Sequence, residues 1–327
     1  QRQMCIRDST YLVEEAVRAD LFLSRKTLQS REFVQAQIKA ERVKRNGEIL
    51  SKPAQKLFPG DTVTGFFEER PAPNLTPVAH DLVVLFEDAD LLVLNKPQDM
   101  VVHPAKGNWS GTLVNALQWH FREHLSTGNG HLRAGIVHRL DKDTSGVILV
   151  AKDDVTHRDL AMQFETRKVF KEYIAVAAGE LGRDSDYIEG ALKMHAHDRL
   201  RMVVSTDPDA KHALSYYEVL ERFRGFSLVK VQPRTGRTHQ IRVHLQHVGA
   251  PVLADKLYGG RDHINLAELV PGLPEAEDEV LIGRQALHAF RLRFRHPRTE
   301  QWIEAEAPLP PDIRRVLDAL RKHRSIR

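Results

Sequence analysis

The chain has 327 residues, 42% of them hydrophobic, enough for about two domains with cores of their own. Its single cysteine, Cys5, excludes an internal disulfide and a multi-cysteine zinc site, and its place in an irregular N-terminal stretch argues against thiol catalysis. The net charge is only +4, and apolar runs such as Leu82 to Phe86 fall far short of the ~20 residues that span a bilayer, so a soluble, cytoplasmic protein with no membrane association is expected.

Gln1 to Asp8 show no hydrophobic period, and position 1 is not methionine, so residues 1–10 are read as a disordered or non-native leader. From Ala19 to Phe67 the pattern is helix, helix, hairpin. Leu21 and Phe22 begin an apolar face, Ser30 is a candidate N-cap, and Val34 and Ile38 follow at helical spacing. Asn46-Gly47 is a two-residue hairpin turn ahead of Asp61 to Thr64. Ten basic residues against four acidic ones between Arg18 and Lys56 make this a small basic domain over residues 11–70, suited to a polyanion. Pro71, Pro73 and Pro77, with Asn74 between them, make 71–81 a linker.

Residues 82–327 form the second predicted domain. Leu82 to Phe86 and Leu91 to Asn95 flank Glu87-Asp88-Ala89-Asp90 and read as a hairpin. Strand-like runs recur at 147–151, 170–178, 213–220 and 226–232, and helical patterns at 112–121, 155–168 and 238–248. Regular βαβ alternation is missing, so the expected class is α+β with a mixed, largely antiparallel sheet. Residues 261–284, with Glu275 to Glu279, read as a solvated insertion without chemistry. Ile313, Val316, Leu317 and Leu320 give one apolar face of a C-terminal helix, and Arg321, Lys322 and Arg324 suit its dipole.

Two segments carry more polar chemistry than their turns require. In the first, Gly135 to Gly146, the run Asp141-Lys142-Asp143-Thr144-Ser145-Gly146 fits the start of a calcium loop, but its twelfth position is Lys152 where a bidentate glutamate is needed. A phosphatase-type aspartyl nucleophile needs an apolar strand directly before Asp141, and His138-Arg139 stand there instead. An aspartate that caps a turn and pairs with an arginine is the purely structural alternative. The second segment, Arg234 to Arg242, turns at Gly236 and begins a helix with Thr238 as candidate N-cap and Gly249 as its stop. Arg242 lies beside the buried stripe near the N-terminus of that helix, where the dipole disfavours a cation. An anion should face it, a phosphate or a carboxylate such as Asp141, unless its head reaches solvent. The 17 histidines show no metalloprotease spacing, and no nucleotide-phosphate loop occurs, so neither metal nor cofactor is expected.

Taken together, these segments resemble the RluA family of pseudouridine synthases. The resemblance runs in order through Asn95-Lys96-Pro97, Val101-Val102-His103-Pro104, Arg133 to Lys152, Lys171-Glu172-Tyr173-Ile174-Ala175, Thr235 to Leu245, Asp255 to Gly260, Gln285 to Ala289 and His296-Pro297. Arg18-x-Asp20, Ser30-Arg31 and Val43-x-x-Asn46-Gly47 are similar to an S4 RNA-binding domain. Lys96 to Pro104 and Gln285 to Ala289 most resemble the large-ribosomal-subunit synthase D branch.

The resemblance implies isomerisation of uridine in RNA, with Asp141 as nucleophile. A carboxylate is ionised at neutral pH and needs no general base. Arg242 would hold it, Tyr173 would stack on the base where the C5 proton leaves, and Arg139 would fill the stack vacated by a flipped uridine. Further RNA contacts are expected from Lys142, Lys96, His103, Arg234, Arg237 and Gln240, and from Arg31, Lys44 and Arg45 in the small domain. Attack at the sugar C1′ and attack at the base both remain open. The implied partner is 23S rRNA of the large subunit, met by a monomer; another rRNA site, tRNA, or a non-catalytic ribosome-assembly role are the alternatives.

Overall fold

The computed structural model describes residues 6–27, 31–68, 76–104, 108–121 and 134–326. The candidate cap Ser30, the linker residues Pro71, Pro73 and Asn74, and Arg133 lie outside the described residues. The chain divides into two compact units, Gln1–Asn74 and Leu75–Arg327.

The first unit comprises β1 (Ile6–Leu12), β2 (Val17–Arg18), α1 (Ala19–Thr27), α2 (Arg31–Lys39), β3 (Val43–Arg45), β4 (Glu48–Ile49), β5 (Lys56–Leu57) and β6 (Thr62–Glu68). Four strands pair antiparallel in the order β1-β6-β3-β4. Asn46 and Gly47 both have positive φ, 51° and 86°, as a type I′ turn requires, and connect β3 to β4. The Asn46 side chain also donates to Asp61 (2.8 Å) and accepts from the Thr62 N–H (2.7 Å), fixing β6 on the other side of β3. Val34, Ile38, Val43, Leu50 and Val63 are fully buried and close the core. Of the leader expected over residues 1–10, residues 1–5 lie outside the described residues, and the disorder expected from Ile6 onward needs correction, because Ile6–Leu12 pairs along its whole length with β6. Backbone pairing, which leaves no hydrophobic period, holds this strand.

The second unit is built on a nine-stranded sheet. In chain order it contains β7 (Val83–Glu87), β8 (Leu91–Lys96), α3 (Leu113–Phe121), β9 (Ser145–Ala151), α4 (Asp154–Glu165), β10 (Phe170–Ala178), β11 (Ser185–Glu189), β12 (Leu192–Met194), β13 (Met202–Val204), β14 (Leu214–Phe223), β15 (Phe226–Pro233) and α5 (Gln240–His247). There follow β16 (Ile264–Asn265), α6 (Leu266–Leu269), β17 (Val280–Ile282), β18 (Leu287–Arg295), β19 (Trp302–Glu306) and α7 (Pro311–His323). The sheet order is β11-β14-β15-β10-β18-β9-β8-β7, with β19 also on β18. Every pair is antiparallel except β9 with β18, so the expected α+β, largely antiparallel architecture is the one observed.

Strands β8 and β9 are apolar on both faces, which explains their unbroken hydrophobic runs. Leu92, Leu94, Ile148 and Val150 pack with Leu113 and Leu117 of α3, whereas Leu91, Val93, Val147 and Leu149 pack with Leu160 of α4. Ile241 and Leu245 of α5 and Ile313, Val316, Leu317 and Leu320 of α7 close a third cluster against β10 and β15. Where β9 meets β18, Gly146 has φ 114°, and a Cβ there would stand 2.1 Å from the Ala289 carbonyl oxygen. Only glycine permits that approach.

Two expectations need correction in this unit. Residues 261–284 are no solvated insertion, since Ile264, Leu269, Leu281 and Ile282 are buried in the cluster beneath α7. Their apolar positions are spread over short elements and give no period. Within the expected linker, Asn115 of α3 donates to the Thr76 carbonyl (3.0 Å) and accepts the Val78 N–H on its own carbonyl (3.1 Å). Thr238 is not the cap of α5; His239 holds that position at φ 55°, with no side-chain capping bond.

Candidate active site

Asp141 lies in the loop that leads into β9, and buried basic side chains grip the loop by its carbonyls. The Lys96 Nζ donates to the carbonyls of Lys142 (3.0 Å), Pro97 (2.7 Å) and Met100 (2.9 Å). Three acceptors match the three protons of an ammonium. Burial nevertheless pushes the amine down to about 7, against the upward pull of Asp143 and Asp141. Arg284 binds the Asp143 carbonyl with Nη1 (2.9 Å) and forks onto Asp312 of α7 with Nε (2.7 Å) and Nη2 (3.0 Å). Lys96 was expected at RNA; it has no exposed surface and is corrected to a brace for the loop.

Opposite the loop, the first turn of α5 presents Arg242, which is 5% exposed. Its Nε and Nη2 donate to the two oxygens of Asp255 at 2.6 and 2.9 Å, and its Nη1 donates to Asp141 Oδ2 at 3.0 Å. Burial opposes the charge, but the bonds and charges of Asp255 and Asp141 outweigh it and hold the guanidinium above its usual range. The Tyr258 ring lies 5.0 Å from the guanidinium carbon. The anion expected opposite Arg242 is therefore two carboxylates. Asp255 is wholly buried and orients the fork, whereas the Asp141 side chain is 20% exposed.

Asp141 lines two cavities. The first, about 600 Å³, is lined by Tyr173, Arg167, Lys171, Arg237 and Gly236, and the second by His103, Lys142, Lys256, Leu200 and Arg284. Arg139, Asp141, His239 and Arg242 line both. Burial, and then the Asp141 charge, push the Tyr173 phenol above its usual range, so it remains protonated at neutral pH. Tyr173 packs against two apolar clusters and lines the cavity. Burial, and then Arg167, push the Lys171 ammonium down to about 8. Its one hydrogen bond among the described residues is a long one, 3.4 Å to the Thr235 carbonyl.

The remaining expected residues divide clearly. Arg139 is exposed at the mouth of both cavities, while Lys142 pairs with Asp99 (2.9 Å) beside the second. Arg237 lines the first cavity and donates to the His212 carbonyl (3.1 Å), and His103 is half-buried at the second. Arg234 is exposed on its turn but lines neither cavity. Gln240 needs correction as an RNA contact. Its oxygen accepts from Thr235 Oγ1 (2.7 Å) and the Arg237 N–H (3.0 Å), and its nitrogen donates to Leu214 and Ser215 (both 3.0 Å). A buried amide so fully used shapes the turn.

In the first unit, Arg31 is half-exposed and binds the buried Asp20 (2.8 Å) together with Arg18 and Gln35. Lys44 is exposed on β3, and Arg45 pairs with Asp61 (2.8 Å). Sequence reasoning assigned no role to Asp255, His239, Tyr258, Lys171, Arg167 or Arg284. Asp255, His239, Tyr258 and Lys171 stood inside the recognised motifs, but their roles depend on contacts between distant elements.

Among the described residues, Asp88, Asp90 and His296 form one group with metal-ligand spacing, at the opposite end of β18. The His296 Nε2 lies 2.8 Å from Asp88, and its Nδ1 accepts the N–H groups of Arg298 and Thr299 (both 3.1 Å), which makes the group a hydrogen-bonded node. No helix among the described residues is long and apolar enough to cross a membrane.

Comparison with known proteins places this geometry in a family. Residues 90–247 match the RNA pseudouridylate synthase family and residues 17–63 match the S4 domain. The chain is 42% identical to the RNA pseudouridine synthase YlyB of Bacillus subtilis, over 95% of this chain and 96% of that one. It is 37% identical to the ribosomal large subunit pseudouridine synthase D of Pasteurella multocida, over 89% and 87%. The solved structure of human RNA pseudouridylate synthase domain containing 1 aligns with a TM-score of 0.54 at 26% identity, covering 76% of this chain and 97% of the other. An S4 domain followed by a synthase domain, with relatives this similar over nearly the whole chain, shows that the protein belongs to the RNA pseudouridine synthase family.

Proposed function

We propose that this enzyme isomerises uridines in 23S rRNA of the large ribosomal subunit, with Asp141 as nucleophile, acting in the cytoplasm as a monomer. The observation that carries the catalytic assignment is the Arg242 fork. Asp255 takes two of its N–H groups, and the third meets a partly exposed carboxylate that lines two cavities. Such a carboxylate is oriented and open to a reacting carbon. The ribosomal target is supported by relatives named as large subunit synthases, among them those of Pasteurella multocida and Haemophilus influenzae.

A uridine flipped out of its helix enters the first cavity, where Tyr173 forms the wall for the base and Arg139 takes its place in the stack. Asp141 forms a covalent bond to the sugar or the base, the bond between C1′ and N1 breaks, and the uracil turns within the cavity. C5 then joins C1′, the carboxylate is released, C5 loses its proton and N1 gains one. Nothing is oxidised or hydrolysed. Pseudouridine mapping in rRNA from a strain lacking the gene tests the assignment. Specific large-subunit positions should return to uridine and be restored by the wild-type gene; an unchanged map with tRNA positions altered would redirect the substrate.

A further inference from the structure

His239 is held in an unusual way beside Asp141. It is the N-cap of α5 at φ 55° and ψ 19°, a left-handed conformation that side chains other than those of Asn, Asp and His seldom adopt. Its ring lines both cavities. Nε2 lies 3.9 Å from Asp141 Oδ2, the oxygen that Arg242 already holds at 3.0 Å. No described residue makes a hydrogen bond to Oδ1.

The other ring nitrogen fixes the tautomer. Nδ1 is 2.9 Å from the Tyr258 hydroxyl oxygen, which accepts the Met202 backbone N–H at 2.9 Å. Burial raises the Tyr258 phenol above its usual range, so it keeps its proton. Among the described residues that proton has no acceptor other than Nδ1, so the hydroxyl donates it there. The single proton of a neutral imidazole then sits on Nε2, aimed at Asp141. Burial favours the neutral ring, outweighing the pull of Asp141; the charges of Arg242, Asp255 and Arg139 complete its surroundings.

We propose that His239 is a positioning residue that shares Oδ2 of Asp141 with Arg242 and leaves Oδ1 as the attacking oxygen. This rests on the reading of Asp141 as nucleophile. Oδ1 supplies the electron pair of the new bond to carbon, and that pair returns to the carboxylate when the bond between Asp141 and the substrate breaks. As charge returns, the Nε2–H closes on Oδ2, and the imidazole transfers no proton. Tyr258, through Nδ1, keeps the donor directed at the carboxylate.

The test pairs His239→Asn with His239→Gln in the full-length enzyme. Asparagine tolerates the left-handed backbone but is too short to reach Oδ2, whereas the glutamine amide extends further. His239→Asn should melt like the wild type, bind substrate RNA within about twofold, and convert bound uridine about 10- to 100-fold more slowly in single turnover, less than a short oxyanion donor is worth. His239→Gln should recover at least part of that rate. Nitrogen-15 shifts of the wild-type His239 ring should show Nδ1 bare and Nε2 protonated, with Tyr258→Phe disturbing that assignment. An Asn variant at the wild-type rate, a loss that a Gln variant melting like the wild type does not recover, a loss explained by RNA affinity, or a proton on Nδ1 would each overturn the proposal. An inactive wild type would overturn the parent reading instead, and the ring tautomer would still report on His239.

Discussion

Two buried ionic groups at the site have opposite energetics. Arg242 is paired with both Asp255 and Asp141, and removing one partner of a buried pair leaves an uncompensated charge. Asp255→Ala should therefore cost about 3–5 kcal/mol in chemical denaturation and free the fork from Asp141, lowering activity as well. Lys171 is the contrary case, a partly buried ammonium with one long hydrogen bond. Its folded value of about 8 lies below the unfolded 10.5, so unfolding takes up a proton between those values. Stability then rises with pH across that window, and the full cost is present below about 8. Lys171→Met should stabilise the protein at pH 7 by on the order of 1–2 kcal/mol while weakening substrate RNA binding. Its stability advantage should shrink above pH 10. A variant less stable at pH 7 would show that Lys171 serves the fold.

The site depends on a junction between elements that are far apart in sequence. β9 runs parallel to β18 only at Ser145 and Gly146, beside His288 and Ala289, and Asp141 hangs from that junction. Gly146→Ala should cost more than about 3 kcal/mol and abolish activity, since its Cβ would meet the Ala289 backbone and not a movable side-chain end. Thermal melting and a pseudouridine assay check both. This junction also marks the limit of what the sequence discloses. The apolar runs of β8, β9, β10 and β15, the Asn46-Gly47 turn and the buried stripe of α7 were legible because each is a local pattern. The strand Ile6–Leu12 and the packed pieces between 261 and 284 were not, because distant partners hold them in place. The same reason explains the site: Asp141, Tyr173 and Arg242 could be named from motifs. Lys96 and Gln240 were misread as RNA contacts because burial is invisible in a motif. Asp255 went unassigned because its partner lies on another element.

On the scale of the whole molecule, charge and chemistry are divided between the two units. The basic residues of the S4 domain face no catalytic demand, so they are expected to supply phosphate contacts that depend on salt and not on sequence. A chain lacking residues 1–74 should bind rRNA more weakly, with a dependence of affinity on salt that is shallower by about one unit of slope for each phosphate the S4 domain would have neutralised. Single-turnover conversion of bound RNA should continue. An unchanged slope would place the phosphate-binding residues in the synthase domain.

The central claim is that Asp141 is the nucleophile, and single-turnover conversion of a mapped rRNA substrate by Asp141→Asn tests it most directly. The amide keeps the size of the side chain but is a poor nucleophile, and Arg242 loses one of its two anionic partners. The expected result is no pseudouridine above background, with RNA affinity within a few-fold of the wild type. Conversion within about tenfold of the wild-type rate, well short of what losing a covalent catalyst costs, would contradict the account.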